Sequence, residues 1–157
     1  MHDVFIIRKA LVEEAASLAA LISKAYLVEA FFKIGDRTDA VDVRQRMQRG
    51  QFLVLEADGT VTGCVYVAKT GDRGYVGMLS IDPAWQGRGL GTRLIAAAEQ
   101  LCREAGCTRM ELEVVNLRTE LPPYYRRLGY AECGTRTFPD TERATQPCHF
   151  IVMEKAL

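Results

Sequence analysis

A glycine-rich turn is the part of this sequence whose residue types could most directly do chemistry. Gln86–Gly91 reads QGRGLG, with three alternating glycines ahead of a segment with helical apolar spacing. Glycine lets a ligand approach the backbone closely, and the free N–H groups at a helix N-terminus attract negative charge. The turn therefore predicts a phosphate or pyrophosphate site, to which Arg88 and Arg93 would add charge and Thr92 a hydroxyl.

Two familiar phosphate-binding motifs differ from this turn. A nucleotide P-loop places Lys and then Ser or Thr after its last glycine, whereas Gly91 is followed by Thr92 and Arg93. A dinucleotide fingerprint follows its strand directly, and here residues 83–86 intervene. Nicotinamide-dependent chemistry is kept as a weaker alternative, because Glu111 or Glu113 lies about 20 residues further along the chain.

The acidic pair Glu111 and Glu113 is the second feature with catalytic potential. Both residues lie on one face of a predicted strand, because they alternate with apolar residues. One of them could accept a proton from an amine as a general base. The alternation is more typical of solvated charges on a half-exposed strand, and we interpret the pair in that way.

The cysteine and histidine residues form no recognisable metal or nucleophile motif. The five cysteines are scattered, only His2 and His149 accompany them, and no zinc-ligand spacing results. An activated thiol needs a neighbouring base or cation, and the sequence places none beside these cysteines. We therefore predict no metal site and no cysteine nucleophile, and we interpret the cysteines as reduced, mostly buried thiols.

The turn and the acidic pair are positioned by elements that the hydrophobic pattern predicts. Asp58-Gly59 joins two strands into a hairpin, and a third strand ends at Asp82-Pro83 before the turn. Apolar periodicity predicts a helix over 90–105, with Gly106 as its stop. The predicted order is β-α-α-β-β-β-α-β-α-β-β. The next-to-last strand lies between residues 128 and 149, and the hydrophobic pattern does not give its bounds. The other strands are residues 4–7, 51–56, 61–67, 75–81, 110–114 and 149–153, and the other helices are 11–26, 39–49 and 122–128.

Composition and charge restrict the class of protein. The 157 residues have the length of one domain, so a single domain over 1–157 is expected. Hydrophobic residues make up 48% and charged residues 25%, as in a globular chain with a core. Twenty basic and twenty acidic side chains leave no net charge, which disfavours nucleic acid as a partner. No apolar stretch reaches membrane-spanning length, and the opening Met1–Asp3 includes an acid and no basic n-region, so we expect a cytoplasmic protein without a membrane partner.

Two segments of the sequence resemble the GCN5-related N-acetyltransferase (GNAT) family. Leu79–Gly91 is similar to that family's acetyl-CoA signature of a hydrophobic strand, a proline and Gln-x-x-Gly-x-Gly. Tyr124–Tyr130 is similar to its aromatic-Tyr-x-x-x-Gly-aromatic segment, and the predicted element order is the family's own. The resemblance implies an α+β fold with a mixed, mostly antiparallel sheet of roughly six to seven strands, splayed between the fourth and fifth and flanked by about four helices.

The same resemblance implies acetyl-CoA as the acetyl donor and assigns its contacts. Leu79 and Ile81 would pair through their main chains with the pantetheine arm, and an N–H of this strand would stabilise the acetyl oxygen. Tyr125, in preference to the adjacent Tyr124, matches the usual general acid for the departing thiolate, and Leu79 is the second residue assigned to catalysis. The other implied cofactor contacts are Gln86, Gly87, Arg88, Gly89, Leu90, Gly91, Thr92 and Asn116.

The resemblance thus implies an N-acetyltransferase that moves the acetyl group of acetyl-CoA to a primary amine by direct attack within a ternary complex. The alternative is a non-catalytic acetyl-CoA or CoA sensor, or an interaction module, that keeps the same cleft. The expected acceptor is a small-molecule or peptide amine of unassigned identity. A homodimer stays open as well, because exposed strand edges can pair with a second copy.

Three aromatic residues and one loop are candidates for the acceptor side. The family builds this wall from its first two helices, so Tyr26, Phe31 and Phe32 either line the acceptor pocket or belong to the core. Arg136–Gln146 combines Pro139-Asp140 with mixed charge. This composition predicts an exposed, mobile loop that covers the acceptor side.

Overall fold

A mixed sheet is the central element of the computed structural model, which describes residues 4–157. The opening Met1–Asp3, used above to predict the absence of a leader, lies outside the described residues. The strands are β1 (Phe5–Lys9), β2 (Gly50–Ala57), β3 (Thr60–Thr70), β4 (Arg73–Ile81), β5 (Arg109–Val115), β6 (Ala131–Thr137) and β7 (His149–Ala156). Their spatial order is β1-β2-β3-β4-β5-β7-β6, and every neighbouring pair is antiparallel except β4 and β5. The expected mixed, mostly antiparallel α+β fold is confirmed.

Four α-helices flank this sheet. They are α1 (Ala15–Ala25), α2 (Ala40–Arg49), α3 (Leu90–Glu104) and α4 (Leu121–Arg127). The predicted helix over 11–26 is shorter than expected, because Val12–Glu14 and Tyr26–Phe31 adopt the tighter 3₁₀ conformation on either side of α1. The Leu11 amide donates to the Glu14 carboxylate at 2.8 Å, which fixes the tight turn at the start.

The two faces of the sheet bury different helices. α3 packs on β2, β3 and β4 through its apolar stripe, which includes Leu94 and Ile95. α1 and α2 cover the opposite face, where Leu18, Ile22 and Val43 are buried. Burial of such side chains contributes roughly 1.5–3 kcal/mol each, so both helical layers are held mainly by apolar contact. Helices therefore cover both faces of the sheet.

A bulge in β4 opens the sheet next to the glycine-rich turn. Met78 has a φ of +53°, and the β3–β4 register shifts between Cys64 and Tyr66. A bulge of this kind bends its strand and re-aims the neighbouring side chains. β4 pairs with β5 only from Arg73 to Tyr75, and the two strands separate beyond that point. The predicted splay between the fourth and fifth strands is thus confirmed, and Gly77, the residue before the bulge, is its only signal in the sequence.

Candidate functional site

The N-terminus of α3 leaves its backbone donors accessible. Gly89 is the N-cap residue with a φ of +75°, and no side chain of the described residues caps the helix. Gly87 also lies in the left-handed region, with a φ of +80°. A Cβ atom added to either glycine would meet no described atom within 4 Å. The turn therefore presents bare backbone and the uncapped N–H groups of the first helical turn to open space, as an anion site requires.

A cleft of about 610 Å³, here called the glycine-turn cleft, lies between this turn and α4. The Thr92 and Tyr124 hydroxyl oxygens lie 2.9 Å apart across it and share a hydrogen bond. Arg118 and Arg127 add positive charge to its wall. The cleft brings together eight of the predicted cofactor residues, namely Leu79, Ile81, Gln86, Gly87, Gly89, Leu90, Gly91 and Thr92.

Two of the predicted cofactor residues do not line this cleft. The Arg88 guanidinium stacks on the Trp85 ring, 4.5 Å from its centroid. The Asn116 side-chain oxygen accepts a hydrogen bond from the His149 amide at 2.8 Å, and the Asn116 amide donates to the His149 carbonyl. Asn116 thus joins the end of β5 to the start of β7, and its side chain is directed to the backbone of its neighbour.

A second cavity of about 330 Å³, here called the splay cavity, occupies the gap between β4 and β5. Strand residues from Tyr75 to Leu79 form one wall, and residues from Leu112 to Val115 form the other. The cavity continues outward to side chains from the 3₁₀ segment 26–31, from α2 and from the loop before β7. Four residues line both this cavity and the glycine-turn cleft, and they are Tyr26, Leu79, Leu121 and Tyr125.

The junction of the two cavities holds the two residues assigned to catalysis. Tyr125 is only 8% exposed, and burial raises the pKa of its phenol above the ordinary value, so the group stays protonated at neutral pH. Leu79 follows the bulged Met78 directly, so the irregular part of β4 is the part that faces the junction. The Glu29 carboxylate and the Arg118 guanidinium form a 3.1 Å ion pair that joins a wall of one cavity to a wall of the other.

The acidic pair on β5 is not a set of solvated charges, and that interpretation was wrong. Glu111 is 7% exposed and forms ion pairs with Arg73 at 3.1 Å and Arg136 at 3.0 Å. Arg73 comes from the neighbouring strand β4, and Arg136 comes from β6, which lies beyond β7. A prediction from local alternation does not include such partners. Glu113 lines the splay cavity, where its two oxygens lie 3.3 Å from the Tyr75 hydroxyl and 3.4 Å from the Arg136 guanidinium.

Two chain segments join over the outer part of the splay cavity, and we call them the bridging loops, residues 31–36 and 140–146. The Ile34 amide donates to the Arg143 carbonyl at 2.8 Å, and the Thr145 amide donates to the Phe32 carbonyl at 2.7 Å. Lys33 and Asp140 add an ion pair at 3.5 Å. Of the segment predicted as an exposed loop, Arg136 and Thr137 belong to β6, and the loop proper begins at Phe138 and is largely exposed from Pro139 on. Main-chain hydrogen bonds tie it to a partner segment. Its mobility and its cover of the acceptor side stay predictions.

The three aromatic candidates for the acceptor side have three different surroundings. Tyr26 lines both cavities, and burial raises the pKa of its phenol. Phe32 is fully buried in a small cluster with Val115 and Phe138. Phe31 is 53% exposed. Of the three, only Tyr26 is placed to contact a ligand in the splay cavity.

The remaining expectations concern thiols, metals and membranes. Cys64, Cys102 and Cys107 are buried, but Cys133 is exposed on the edge strand β6, so the expectation of buried thiols holds only in part. Within residues 4–157, no cluster of three or more His, Cys, Asp or Glu side chains could hold a metal ion.

None of the helices in this range has the length and apolar character needed to cross a membrane.

Comparison with known proteins gives consistent matches. The family described as "Acetyltransferase (GNAT) family" matches residues 17–130. A probable glucosamine 6-phosphate N-acetyltransferase 2 from Oryza sativa subsp. japonica is 32% identical over 80 residues, which are 48% of this chain and 46% of that protein, so the match spans about half of that relative's length.

Two solved structures share the fold. The ribosomal-protein-S18-alanine N-acetyltransferase of Escherichia coli superimposes with a TM-score of 0.81 at 17% identity, covering 98% of this chain and 94% of that one. The yncA protein of Salmonella typhimurium, solved with its cofactor acetyl-CoA, gives a TM-score of 0.73 at 20% identity, with coverage of 98% and 94%. At these identities the superpositions establish a shared fold.

Proposed function

Because this chain belongs to the acetyltransferase (GNAT) family, we propose that it transfers the acetyl group of acetyl-CoA to a primary amine by direct attack within a ternary complex. One observation carries this proposal: the glycine-turn cleft and the splay cavity meet at Leu79 and Tyr125. Two substrates that enter from separate sides would meet where a buried proton donor is already present. We propose one acetyltransferase domain over residues 1–157.

The glycine-turn cleft fits the chemistry of CoA. Its pyrophosphate needs backbone donors and positive charge, which the uncapped N-terminus of α3 and Arg127 supply. Arg118 contributes less, because it is ion-paired with Glu29 at 3.1 Å and with Glu120 at 3.2 Å. The open space beside Gly87 and Gly89 allows phosphate oxygens to approach the main chain. Leu79 and Ile81 continue the cleft toward the junction, in line with a role in holding the pantetheine arm. When bound, acetyl-CoA supplies an acyl group on a thiol leaving group.

Leu79 contributes to the proposed reaction through its main chain. Attack by an amine places negative charge on the acetyl oxygen, and a fixed N–H donor stabilises that charge where it forms. The β4 bulge at Met78 interrupts regular pairing with β3 at this point of the strand. We propose that the Leu79 N–H, placed at this interruption, already points to where the acetyl oxygen would lie, so that the backbone does not have to rearrange during the reaction.

Tyr125 is the proposed proton donor to the departing thiolate. A phenol is protonated at neutral pH, and burial raises the pKa of Tyr125 further, so the proton is retained well into the alkaline range. A free thiol has a pKa of about 8.5, so the CoA thiolate is a fairly good leaving group even without a proton donor. Proton donation by a phenol therefore accelerates its departure only moderately. The neighbouring Tyr124 is held differently, because its hydroxyl is hydrogen-bonded to Thr92 beside the glycine turn.

Glu113 is the proposed proton acceptor from the amine. Of the two carboxylates on β5, it alone lines the splay cavity. Its partners are one neutral hydroxyl, from Tyr75, and one guanidinium shared with Glu111. Glu113 can therefore receive a proton directly or through a water molecule, while the Arg136 contact keeps its carboxylate in place.

A pair of tyrosine variants tests the proposed function. Tyr125→Phe removes the buried hydroxyl and should lower kcat for amine acetylation by roughly 10- to 100-fold, with acetyl-CoA affinity nearly unchanged. Tyr124→Phe is the matched control, since it removes the adjacent hydroxyl on the same helix and should leave kcat within about threefold. Acetyl-CoA binding without turnover on any amine, in the wild type as in Tyr125→Phe, would instead indicate the CoA-sensing alternative.

A further inference from the structure

The charged residues of the splay cavity have an uneven pattern of pairing. Six of them line it, and three are basic and three acidic. Five of the six are in ion pairs: Glu29 with Arg118 at 3.1 Å, Lys33 with Asp140 at 3.5 Å, Arg46 with Asp42 at 3.2 Å and Glu113 with Arg136 at 3.4 Å. The sixth is Arg37, which has no carboxylate partner among residues 4–157.

Arg37 is half-buried and is oriented by an aromatic ring. Its guanidinium carbon lies 5.2 Å from the centroid of the Tyr26 ring, and Tyr26 extends to the junction of the two cavities. Stacking on an aromatic face leaves the N–H groups at the edge of the guanidinium plane free to donate. The residue thus presents a planar hydrogen-bond donor inside the cavity that also contains Glu113.

The charges around Arg37 include the Lys33 ammonium, which repels it, and the Asp42 carboxylate, which attracts it but is already paired with Arg46. Burial lowers the pKa of the Lys33 ammonium, and Arg37 is the next largest cause, ahead of the opposing effect of Asp140. The acidic residues of the cavity offer little compensation, because Arg118, Arg136 and Lys33 already pair with them. A cationic acceptor such as a polyamine would therefore meet no unpaired carboxylate to bind it, whereas an anion would meet an unpaired guanidinium.

The volume of the splay cavity and the bridging loops at its outer part restrict the size of the acceptor. About 330 Å³ is near the lower limit of the roughly 300–1,000 Å³ typical of small-molecule sites. The bridging loops join over its outer part through the hydrogen bonds between Ile34 and Arg143 and between Phe32 and Thr145. A cavity of this volume, narrowed by these loops, accommodates a small molecule better than a segment of folded protein.

We infer that the acceptor is a small amine that also carries an anionic group, a carboxylate or a phosphate ester, and that Arg37 binds this group while Glu113 receives the proton of the amine. This inference rests on the proposed acetyl transfer. The Arg37 guanidinium matches the geometry of both anions, because its fork of N–H groups can donate to two oxygens at once. An anionic acceptor would give Arg37 the partner that the protein itself does not provide.

Matched acceptor pairs test the inference and separate the two kinds of anion. L-phenylalanine against phenethylamine and L-lysine against cadaverine differ by a carboxylate, and glucosamine 6-phosphate against glucosamine differs by a phosphate. The kcat/KM of each compound is measured with acetyl-CoA for the wild type, Arg37→Gln, Arg37→Lys and Arg44→Gln. Arg44 lies exposed on α2 and outside the cavity, so its variant removes the same charge without touching the site.

The expected result is a preference of about tenfold or more for the anionic member of at least one pair. Arg37→Gln should raise the KM of that compound and reduce the preference to near unity, with kcat changed less. Arg37→Lys should restore part of the preference, and Arg44→Gln should keep all of it. The unfolding temperature of Arg37→Gln should stay close to that of the wild type, because its side chain contacts one aromatic ring.

Three results would overturn the inference while leaving the proposed function intact. The first is a preference for the member without the anionic group in every pair. The second is a preference for the anionic member that persists in Arg37→Gln. The third is that no anionic compound is acetylated although acetyl-CoA still raises the unfolding temperature. A chain that acetyl-CoA does not stabilise at all would contradict the proposed function itself. The unfolding measurement therefore distinguishes the two failures.

Discussion

The glycine-turn cleft and the splay cavity are built in different ways. Half of the residues that line the cleft come from one continuous segment, Leu79–Thr92, which offers backbone atoms to a ligand. The splay cavity is lined by side chains from distant parts of the chain, from Tyr26 to Phe150. If acetyl-CoA binds in the cleft and the amine in the cavity, as proposed above, cofactor recognition depends on local backbone conformation, whereas acceptor recognition depends on which side chains the fold brings together.

The two regions also use charge differently. The cleft relies on an uncapped helix N-terminus, whose partial positive charge is a property of the backbone. The cavity relies on ion pairs, including Lys33 with Asp140 and Glu113 with Arg136, that leave one guanidinium unpaired. Substitutions in the cleft should therefore change the affinity for acetyl-CoA, and substitutions in the cavity should change turnover and acceptor choice.

The largest expected effect comes from Glu113→Gln in the splay cavity. Removing the proposed proton acceptor should lower kcat/KM for the amine by about 100-fold at neutral pH. The dissociation constant of acetyl-CoA should stay within about twofold, because Glu113 does not line the glycine-turn cleft. Steady-state kinetics together with calorimetric binding measures both quantities.

Glu111→Gln is the matched control on the same strand. It removes a carboxylate from the same arginine network but not from the cavity, so it should reduce stability more than activity. Equal losses of kcat/KM in Glu111→Gln and Glu113→Gln would show that the network as a whole, and not one carboxylate, is what the reaction needs.

The next largest effect is expected from Gly89→Ala in the glycine-turn cleft. The added methyl group occupies the space proposed for phosphate oxygens, so the dissociation constant of acetyl-CoA should rise by about tenfold, or roughly 1.4 kcal/mol. The preference between amine acceptors should not change, because Gly89 is not part of the splay cavity. Titration calorimetry with acetyl-CoA checks the first expectation and competition between acceptors checks the second.

Gly59→Ala separates lost binding from backbone strain. Gly59 has a φ of +84° and equally open surroundings, but it lies in the turn between β2 and β3. Both alanine variants should lose about 1–2 kcal/mol of folding stability, since a left-handed conformation is unfavourable for alanine. If Gly59→Ala weakened acetyl-CoA binding as much as Gly89→Ala, the assignment of the cleft would be wrong.

The smallest expected effect is in the pH profile of kcat. Since burial raises the pKa of Tyr125 above the ordinary value for tyrosine, its protonated form persists beyond about pH 10. With saturating acceptor, kcat should therefore stay level from about pH 8 to 9.5 instead of falling as an exposed acid deprotonates. A decline with an apparent pKa below about 9 in the wild type that is absent from Tyr125→Phe would show that Tyr125 loses its proton in this range, and it would contradict the proposed role of Tyr125.

Local sequence signals predicted much of the fold and the cofactor side of the site. α3 begins at Leu90 and ends at Glu104, within one residue of the prediction, because a regular apolar stripe and flanking glycines define it. The turn between β2 and β3 lies at Asp58-Gly59, where both residues have positive φ. Eight predicted cofactor residues share one cleft because they are close together along the chain.

The acceptor side could not be predicted in the same way. The pairing of Glu111 with Arg73 on β4 and with Arg136 on β6 depends on strands that are distant in sequence. Arg37 lies in a segment without a periodic pattern, and its position in the cavity becomes visible only when Tyr26 and the bridging loops are in place. The direction of the Asn116 side chain likewise depends on β7, which begins more than thirty residues later.

The central claim is that the glycine-turn cleft binds acetyl-CoA, and thermal unfolding tests it most directly. Wild type and Gly89→Ala are heated with excess acetyl-CoA, CoA, NAD or ATP in separate samples. A ligand at 100 times its dissociation constant adds about 2.7 kcal/mol, which raises the unfolding temperature by roughly 5 to 11 °C for a chain of this size. The account predicts such a rise with acetyl-CoA and CoA for the wild type and a smaller one for Gly89→Ala. No shift with either compound, or a shift only with NAD or ATP, would contradict it.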